Sequence, residues 1–212
     1  MKKIAFFLLT TAKYTDRQDN IINSWGKDVD LYFYSEHSDS SRNVIQVCDV
    51  NNVDVKQISI FEKIKNEYQN YEWYFFGDDD TFVNVKKLTN DLESFDINKV
   101  HGQDLGYGDS RCWGELHYPS GGAGFLINRK IIHNFFESKN YNVGFSDVTV
   151  GLNMSEKKIE IEHNFNFFSQ HPSFYDIKID DCFKYYTFHY LKSIEDLNKM
   201  NNICNQIEYS II

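Results

Sequence analysis

The stretch Trp73-Tyr74-Phe75-Phe76-Gly77-Asp78-Asp79-Asp80-Thr81-Phe82 sets the reading of this chain. Four consecutive large apolar residues suit a strand covered on both faces. The run stops at a glycine and three adjacent carboxylates. Like charges this close repel, which costs stability unless a cation neutralises them. A solvated acidic turn is the ordinary explanation of such a triplet. Here the apolar strand aims it at the sheet edge where open α/β sheets bind ligands, which favours a site. Oxygen ligands suit Mg²⁺ or Mn²⁺, ions that bridge diphosphates.

Outward from this stretch, apolar runs alternate with helical patterns. Residues 4–9 read as a buried first strand, followed by a polar turn over residues 10–13. Ile21, Ile22 and Trp25 mark a helix face within residues 16–25, stopped by Gly26. Residues 29–34 and 44–50 read as strands separated by a polar loop. Phe61, Ile64, Tyr68 and Tyr71 fall at i, i+3, i+7 and i+10, a helical stripe. Residues 73–76 are then a fourth strand. Beyond the triplet, residues 83–95 read as a helix, 101–118 as a loop, 121–128 as a turn entering a strand, and 129–138 as a helix. This alternation predicts an α/β fold with a mostly parallel central sheet flanked by helices. No linker divides the chain, so a single domain over residues 1–212 is expected.

Composition narrows the function. Lys and Arg number 22 against 31 Asp and Glu, a net charge of −9. An acidic chain lacks the clustered cations that nucleic acid requires, so no nucleic-acid partner is expected. Cys48, Cys112, Cys182 and Cys204 are too scattered for a structural zinc site, and their pairing stays open. The apolar run after Lys2 and Lys3 is too short for a signal peptide and lacks a small-residue cleavage site. No run reaches the roughly 18 apolar residues of a membrane span. A soluble, cytoplasmic protein is expected.

Three further segments stand out: Ser120-Gly121-Gly122-Ala123-Gly124-Phe125, Phe145-Ser146-Asp147-Val148-Thr149-Val150-Gly151 and Phe188-His189-Tyr190. With the acidic strand, and with Leu8-Leu9-Thr10-Thr11 through Ile22 and Trp25, they resemble in order and spacing the Fringe and β-1,3-galactosyltransferase group of GT-A glycosyltransferases. The likeness spans most of the chain, with intervals short for that group and without its usual signal-anchor and stem. Composition and size also resemble a glycosyltransferase domain of a large algal virus. The resemblance implies a GT-A-like, Rossmann-like fold. It also implies metal-dependent transfer of a sugar from a nucleotide sugar, expected to be UDP-linked, to a hydroxyl of a glycan or glycoprotein.

By the same resemblance Asp80 binds the metal directly. Asp78 and Asp79 hold the ribose or metal-bound waters, with Asp78 also near the metal. His189 completes the metal shell through an imidazole nitrogen, which Mn²⁺ tolerates better than Mg²⁺. An ordinary aromatic-pocket histidine is the plainer account of His189, and His171 is the next candidate ligand. Gly121 and Gly122, with Gly124, form a wall against a sugar, or merely a tight turn. Asp147 is the general base, although Ser146 replaces an acidic neighbour common in the group and a helix cap explains Asp147 equally well in isolation. Thr10, Thr11 and Arg17 are candidates for uracil, ribose and phosphate contacts. Trp113, His117 and Tyr118 either stack on an acceptor sugar or fill the core. Asp180-Asp181 reads as a solvated turn. Two other classes remain. A phosphoesterase of the haloacid-dehalogenase kind needs Thr or Val where Phe82 stands, and a non-catalytic sugar-binding module needs no metal-dependent turnover.

Overall fold

The computed structural model, which describes residues 2–106, 115–135 and 138–208, builds its main sheet around the first apolar run. β1 (Lys2–Leu9) leads through α1 (Thr15–Ile22) to β2 (Leu31–Ser35), β3 (Val44–Gln46), α2 (Val53–Glu67) and β4 (Tyr71–Asp78). Then come β5 (Phe82–Val83), α3 (Val85–Asn90), β6 (Val100–Gly102), β7 (Phe125–Asn128) and α4 (Arg129–Ile132). α5 (Ser146–Lys157), β8 (Ile161–His163), β9 (Phe167–Phe168), β10 (Thr187–Phe188) and α6 (Ile194–Gln206) follow.

The seven-stranded sheet has the order β3-β2-β1-β4-β7-β6-β8. Its first four strands are parallel, β7 runs antiparallel to both neighbours, and β8 is parallel to β6. The fold is thus α/β with a large, mostly parallel sheet flanked by helices, as the strand-helix alternation predicts. Alternate residues of β1 and β4 point to opposite faces. Phe6, Leu8, Trp73 and Phe75 pack with Trp25 on one face. Phe7, Tyr74 and Phe76 pack with Phe61 and Ile64 of α2 and Val150 of α5 on the other. Burial on both faces is why these strands read as unbroken apolar runs. A small second sheet, β5-β10-β9, pairs Phe188 with Phe82 and so carries His189 to the acidic turn.

Several boundaries differ from the sequence expectation. Tyr71 opens β4 and does not extend the helical stripe, because α2 ends at Glu67 and is capped at Tyr68. Tyr68 leaves the helix to set its ring edge-on against Phe7, at 5.3 Å. The third strand stops at Gln46, and Val50 near the expected end is exposed. Within residues 83–95, Val83 belongs to a strand and Asn84 starts a short helix by accepting a hydrogen bond from the Lys87 N–H. The expected helix from residue 129 is four α residues followed by a 3₁₀ turn, His133–Phe135. Cys182 and Cys204 are buried free thiols with Sγ atoms 3.7 Å apart, Cys48 is also free, and Cys112 lies outside the described residues. Among the described residues, no helix is long and apolar enough to cross a membrane.

Candidate functional site

The site forms where β1 and β4 end side by side, with Leu9 in register with Asp78. The turn after β4 is tied down from four directions. The Asp79 N–H donates to the Leu9 carbonyl at 3.2 Å, and the Leu191 N–H to the Asp80 carbonyl at 2.9 Å. The Trp25 indole N–H donates to the Thr81 carbonyl at 3.0 Å. The Thr81 hydroxyl accepts from the Asp78 N–H at 3.1 Å and donates to the Gly122 carbonyl at 2.8 Å. The Thr81 hydroxyl thus ties the acidic turn to the glycine turn.

The three carboxylates have different surroundings. Asp79 turns inward: it accepts from the Thr10 hydroxyl at 2.6 Å and from Arg17 Nη1 at 3.0 Å. Asp80 receives Arg17 on Oδ2 at 3.2 Å and His189 Nε2 on Oδ1 at 2.9 Å. Asp78 Oδ2 lies 3.6 Å from the same Nε2. One ligand atom each from Asp78, Asp80 and His189 lies within 4.8 Å of the others. His189 Nδ1 faces the Ser169 carbonyl at 3.2 Å. A carbonyl can only accept, so Nδ1 carries the proton there and Nε2 is left for the carboxylates or a metal. Two carboxylate oxygens and one imidazole nitrogen, fixed by separate elements, fit a divalent cation of the Mn²⁺ kind.

Electrostatics follow from this packing. Lost hydration raises the Asp78 carboxyl; His189 opposes this, while Asp80, Asp79 and Asp147 add to it, and the net shift is upward. Burial also raises Asp79, against the hydrogen bonds from Thr10 and Arg17. Burial would raise Asp80 too, but the His189 hydrogen bond and charge, with Arg17 and Lys192, hold it below its usual value. For His189, burial favours the neutral ring, yet the Asp80 hydrogen bond and the two carboxylate charges raise its pKa.

A groove of about 350 Å³ opens over the triplet, lined also by Thr11, Tyr14, Arg17, Lys56 and Lys192. Tyr14 lies under the Arg17 guanidinium, 3.9 Å from its carbon. Lys56 is fully buried, donating to the Thr10 carbonyl at 3.0 Å and to Asn51 Oδ1 at 2.8 Å, and it pairs with Glu36. Burial would raise Glu36, but Lys56, with hydrogen bonds from Ser35 and the Ala12 N–H, holds it down at about 2. A larger cavity of about 610 Å³ lies between α5 and β8, around Met154 and His163. It contains none of the acidic turn, so the smaller groove is the chemically equipped one.

Asp147 stands beyond the groove, near enough for its charge to act on Asp78. Its Oδ2 accepts from the Gly121 N–H at 3.4 Å and its Oδ1 from the Val148 N–H at 2.9 Å. Phe145 is the N-cap of α5, so Asp147 lies inside the first turn and is not the cap. Burial raises its pKa, the hydrogen bonds from Gly121 and Val148 lower it, and the charge of Asp54 raises it again; the net shift is upward. Gly124 takes φ +77°, and a Cβ there would fall 2.2 Å from the Phe75 ring.

The structure brings together Asp78, Asp79, Asp80, His189, Arg17, Gly121, Gly122 and Asp147. Thr10 and Thr11 both line the groove, and the Thr10 hydroxyl also braces the turn by donating to Asp79 and accepting from Gln18 Nε2. His171 caps the 3₁₀ helix Pro172–Tyr175 and stays outside the ligand cluster. Asp180 and Asp181 pair with Lys199 and Lys184 at the surface, as a solvated turn should. His117 Nδ1 meets Asp104 Oδ2 at 2.6 Å, Tyr118 is buried, and Trp113 lies outside the described residues. Lys56, Glu36 and Lys192 escaped the sequence reading. The lysine at position 56, near the start of the helix that carries Ile58, Ile60, Phe61 and Ile64, was the available signal.

Comparison with known proteins places the chain in a family. The family model described as Fringe-like matches residues 1–210. The chain belongs to the Fringe-like family. Human beta-1,3-glucosyltransferase is 27% identical over 185 residues, 81% of this chain and 36% of that protein. The mouse protein of the same name is 26% identical over 185 residues, covering 37% of its length. The chain therefore spans about a third of the curated relatives it matches. Among solved structures, this Fringe-like chain shares its fold with a glycosyltransferase involved in glycosylation of the major capsid of PBCV-1. The TM-score is 0.56 at 13% identity, covering 94% of this chain and 99% of that one. Galactosyltransferase LgtC, solved with donor and acceptor sugar analogs, gives TM-score 0.56 at 11% identity, covering 96% and 97%. These likenesses place the fold among GT-A glycosyltransferases.

Proposed function

We propose that this Fringe-like chain is a metal-dependent glycosyltransferase that moves a sugar from a UDP-linked donor to a hydroxyl of a glycan or glycoprotein. The observation that carries this reading is the convergence of Asp78, Asp80 and His189 beside a groove at the carboxyl end of β4. Membership of the family and the names of the human and mouse relatives support sugar transfer. The choice of UDP rests on the resemblance alone.

Asp78, Asp80 and His189 would hold Mn²⁺ or Mg²⁺, which when bound supplies Lewis-acid neutralisation of a diphosphate leaving group. Arg17 and Lys192 add positive charge at the same wall of the groove. Asp147 takes the proton of the acceptor hydroxyl. The oxygen then attacks the anomeric carbon, and the electron pair of the broken bond leaves on the nucleotide phosphate. Its raised pKa makes Asp147 a stronger base than a solvated aspartate. In-line attack of this kind inverts the anomeric centre.

Transfer from a panel of nucleotide sugars, with and without Mn²⁺, tests the proposal on the parent, Asp80→Ala and Asp147→Asn. Asp80→Ala should fold but lose Mn²⁺-dependent UDP binding. Asp147→Asn should bind UDP normally and transfer about 10²–10⁴-fold more slowly. Phosphate release from simple esters without an acceptor would point to a phosphoesterase. Sugar binding without Mn²⁺-dependent turnover would point to a binding module.

A further inference from the structure

Asp54 is a carboxylate buried where α2 packs against α5, with 0% of its surface exposed. It lies in the first turn of α2, just after the Asn52 cap. Its Oδ2 accepts from the Gly144 N–H at 2.7 Å, and its Oδ1 accepts from the Thr149 hydroxyl at 2.9 Å. Gly144 and Thr149 stand on either side of Asp147 in the chain. Gly144 has φ +80°, a conformation that turns the chain into α5. The Thr149 N–H in turn holds the Phe145 carbonyl at 3.0 Å, closing the first helical turn around Asp147.

A buried carboxylate is costly and needs hydrogen bonds to persist. If only the packing of α2 on α5 were at stake, an apolar residue would serve. Asp54 instead spends both oxygens on the two flanks of the segment that presents Asp147. These two hydrogen bonds tie the segment that carries Asp147 to a residue in another helix. We propose that Asp54 is a positioning residue for Asp147, clamping the start of α5 so that the Asp147 carboxylate is held toward the acceptor hydroxyl. This rests on Asp147 being the general base.

The charge of Asp54 also bears on Asp147. Asp54 from α2 raises Asp147 by its charge, the Gly121 and Val148 N–H groups lower it, and Asp147 in turn raises Asp78 at the end of β4. Asp54 raises the proton affinity of Asp147, so neutralising Asp54 should move the acidic limb of transfer to lower pH.

The test compares Asp54→Asn, Thr149→Val and Asp147→Asn with the parent, measuring UDP affinity in Mn²⁺, kcat, acceptor KM and the pH profile. Asp54→Asn should lower kcat by up to about 10²-fold, the cost of a small misplacement, with UDP affinity unchanged and the acidic limb moved to lower pH. Thr149→Val removes one contact but keeps the charge, so kcat should fall less and the limb should stay. If Asp54→Asn fails to fold, Thr149→Val decides: parent kcat there overturns the proposal. A slow Asp147→Asn beside Asp54→Asn and Thr149→Val at parent kcat and parent pH limb leaves the base in place and overturns the role of Asp54. Full transfer by Asp147→Asn overturns the base assignment itself, and the role of Asp54 with it. A loss of stability in Asp54→Asn with kcat per folded molecule and pH limb unchanged marks a packing role only.

Discussion

Gly122 lies so close under His189 that a Cβ there would fall 2.1 Å from both Cε1 and Nδ1 of the ring. Real atoms do not approach this closely, so the imidazole would have to leave Asp80 and Ser169 together. Gly121, one residue earlier, has its nearest neighbour for a Cβ at 3.6 Å, an ordinary contact with Asp147. The two glycines read alike in sequence and should respond differently. Gly122→Ala is expected to weaken Mn²⁺ binding by about 10–100-fold, the usual cost of disturbing the support of a ligand. Gly121→Ala should bind Mn²⁺ as the parent does. Titration of both variants with Mn²⁺ checks this, and equal affinities would remove His189 from the metal site. At this scale the residue types were legible, since a glycine pair before an apolar strand marks close backbone approach. Which glycine lies under His189 was not legible, because His189 follows a strand far along the chain.

Between elements, β2 and α2 are joined by the Glu36–Lys56 pair at the edge of the groove. Lys56 is fully buried and Glu36 keeps 17% of its side chain exposed. Removing one partner of such a pair leaves an uncompensated buried charge. Glu36→Gln should therefore cost about 3 kcal/mol at pH 7. The folded pKa of Glu36, about 2, lies below its ordinary value of 4.5. A depressed carboxyl contributes stability above the unfolded pKa and loses it as pH falls through the folded one. The stability gap between parent and Glu36→Gln should be full above pH 4.5 and shrink from there down to pH 2. Urea unfolding of both proteins across that range measures the gap, and a gap that stays constant would show that the pair is not the source. The α2–α5 contact carries the same lesson, since Asp54, Lys56 and Gln57 are all polar residues buried by α2.

For the molecule as a whole, the concentration of carboxylates at one sheet edge makes the fold sensitive to cations. Asp78, Asp79 and Asp80 are answered by Arg17, His189 and Lys192, with Asp147 close by, in a chain of net charge −9. An ion that binds only the folded state adds stability by mass action, about 2.7 kcal/mol at a hundredfold excess over Kd. For a chain of this size that is a rise of roughly 5–10 °C in Tm. Thermal unfolding in rising Mn²⁺ should show this increase, EDTA should reverse it, and Asp80→Ala should show none. A Tm insensitive to Mn²⁺ in the parent would leave the cluster without a metal.

By itself the sequence determined the architecture and marked the segments that form the candidate site. Runs such as residues 4–9 and 73–76 are apolar on both faces because helices cover both sides of the sheet, and that pattern is local and readable. The triplet after β4 pointed to a candidate cation site, because the repulsion of three adjacent carboxylates has no remedy among their chain neighbours. Tertiary structure alone decided how the work is divided: Asp79 turned onto Thr10 and Arg17, Asp80 and Asp78 turned to His189, and Asp54 clamped around Asp147. The reason is range. Thr10 reaches Asp79 across 69 positions and Asp54 reaches Thr149 across 95, and no periodicity in the chain records contacts made at that distance.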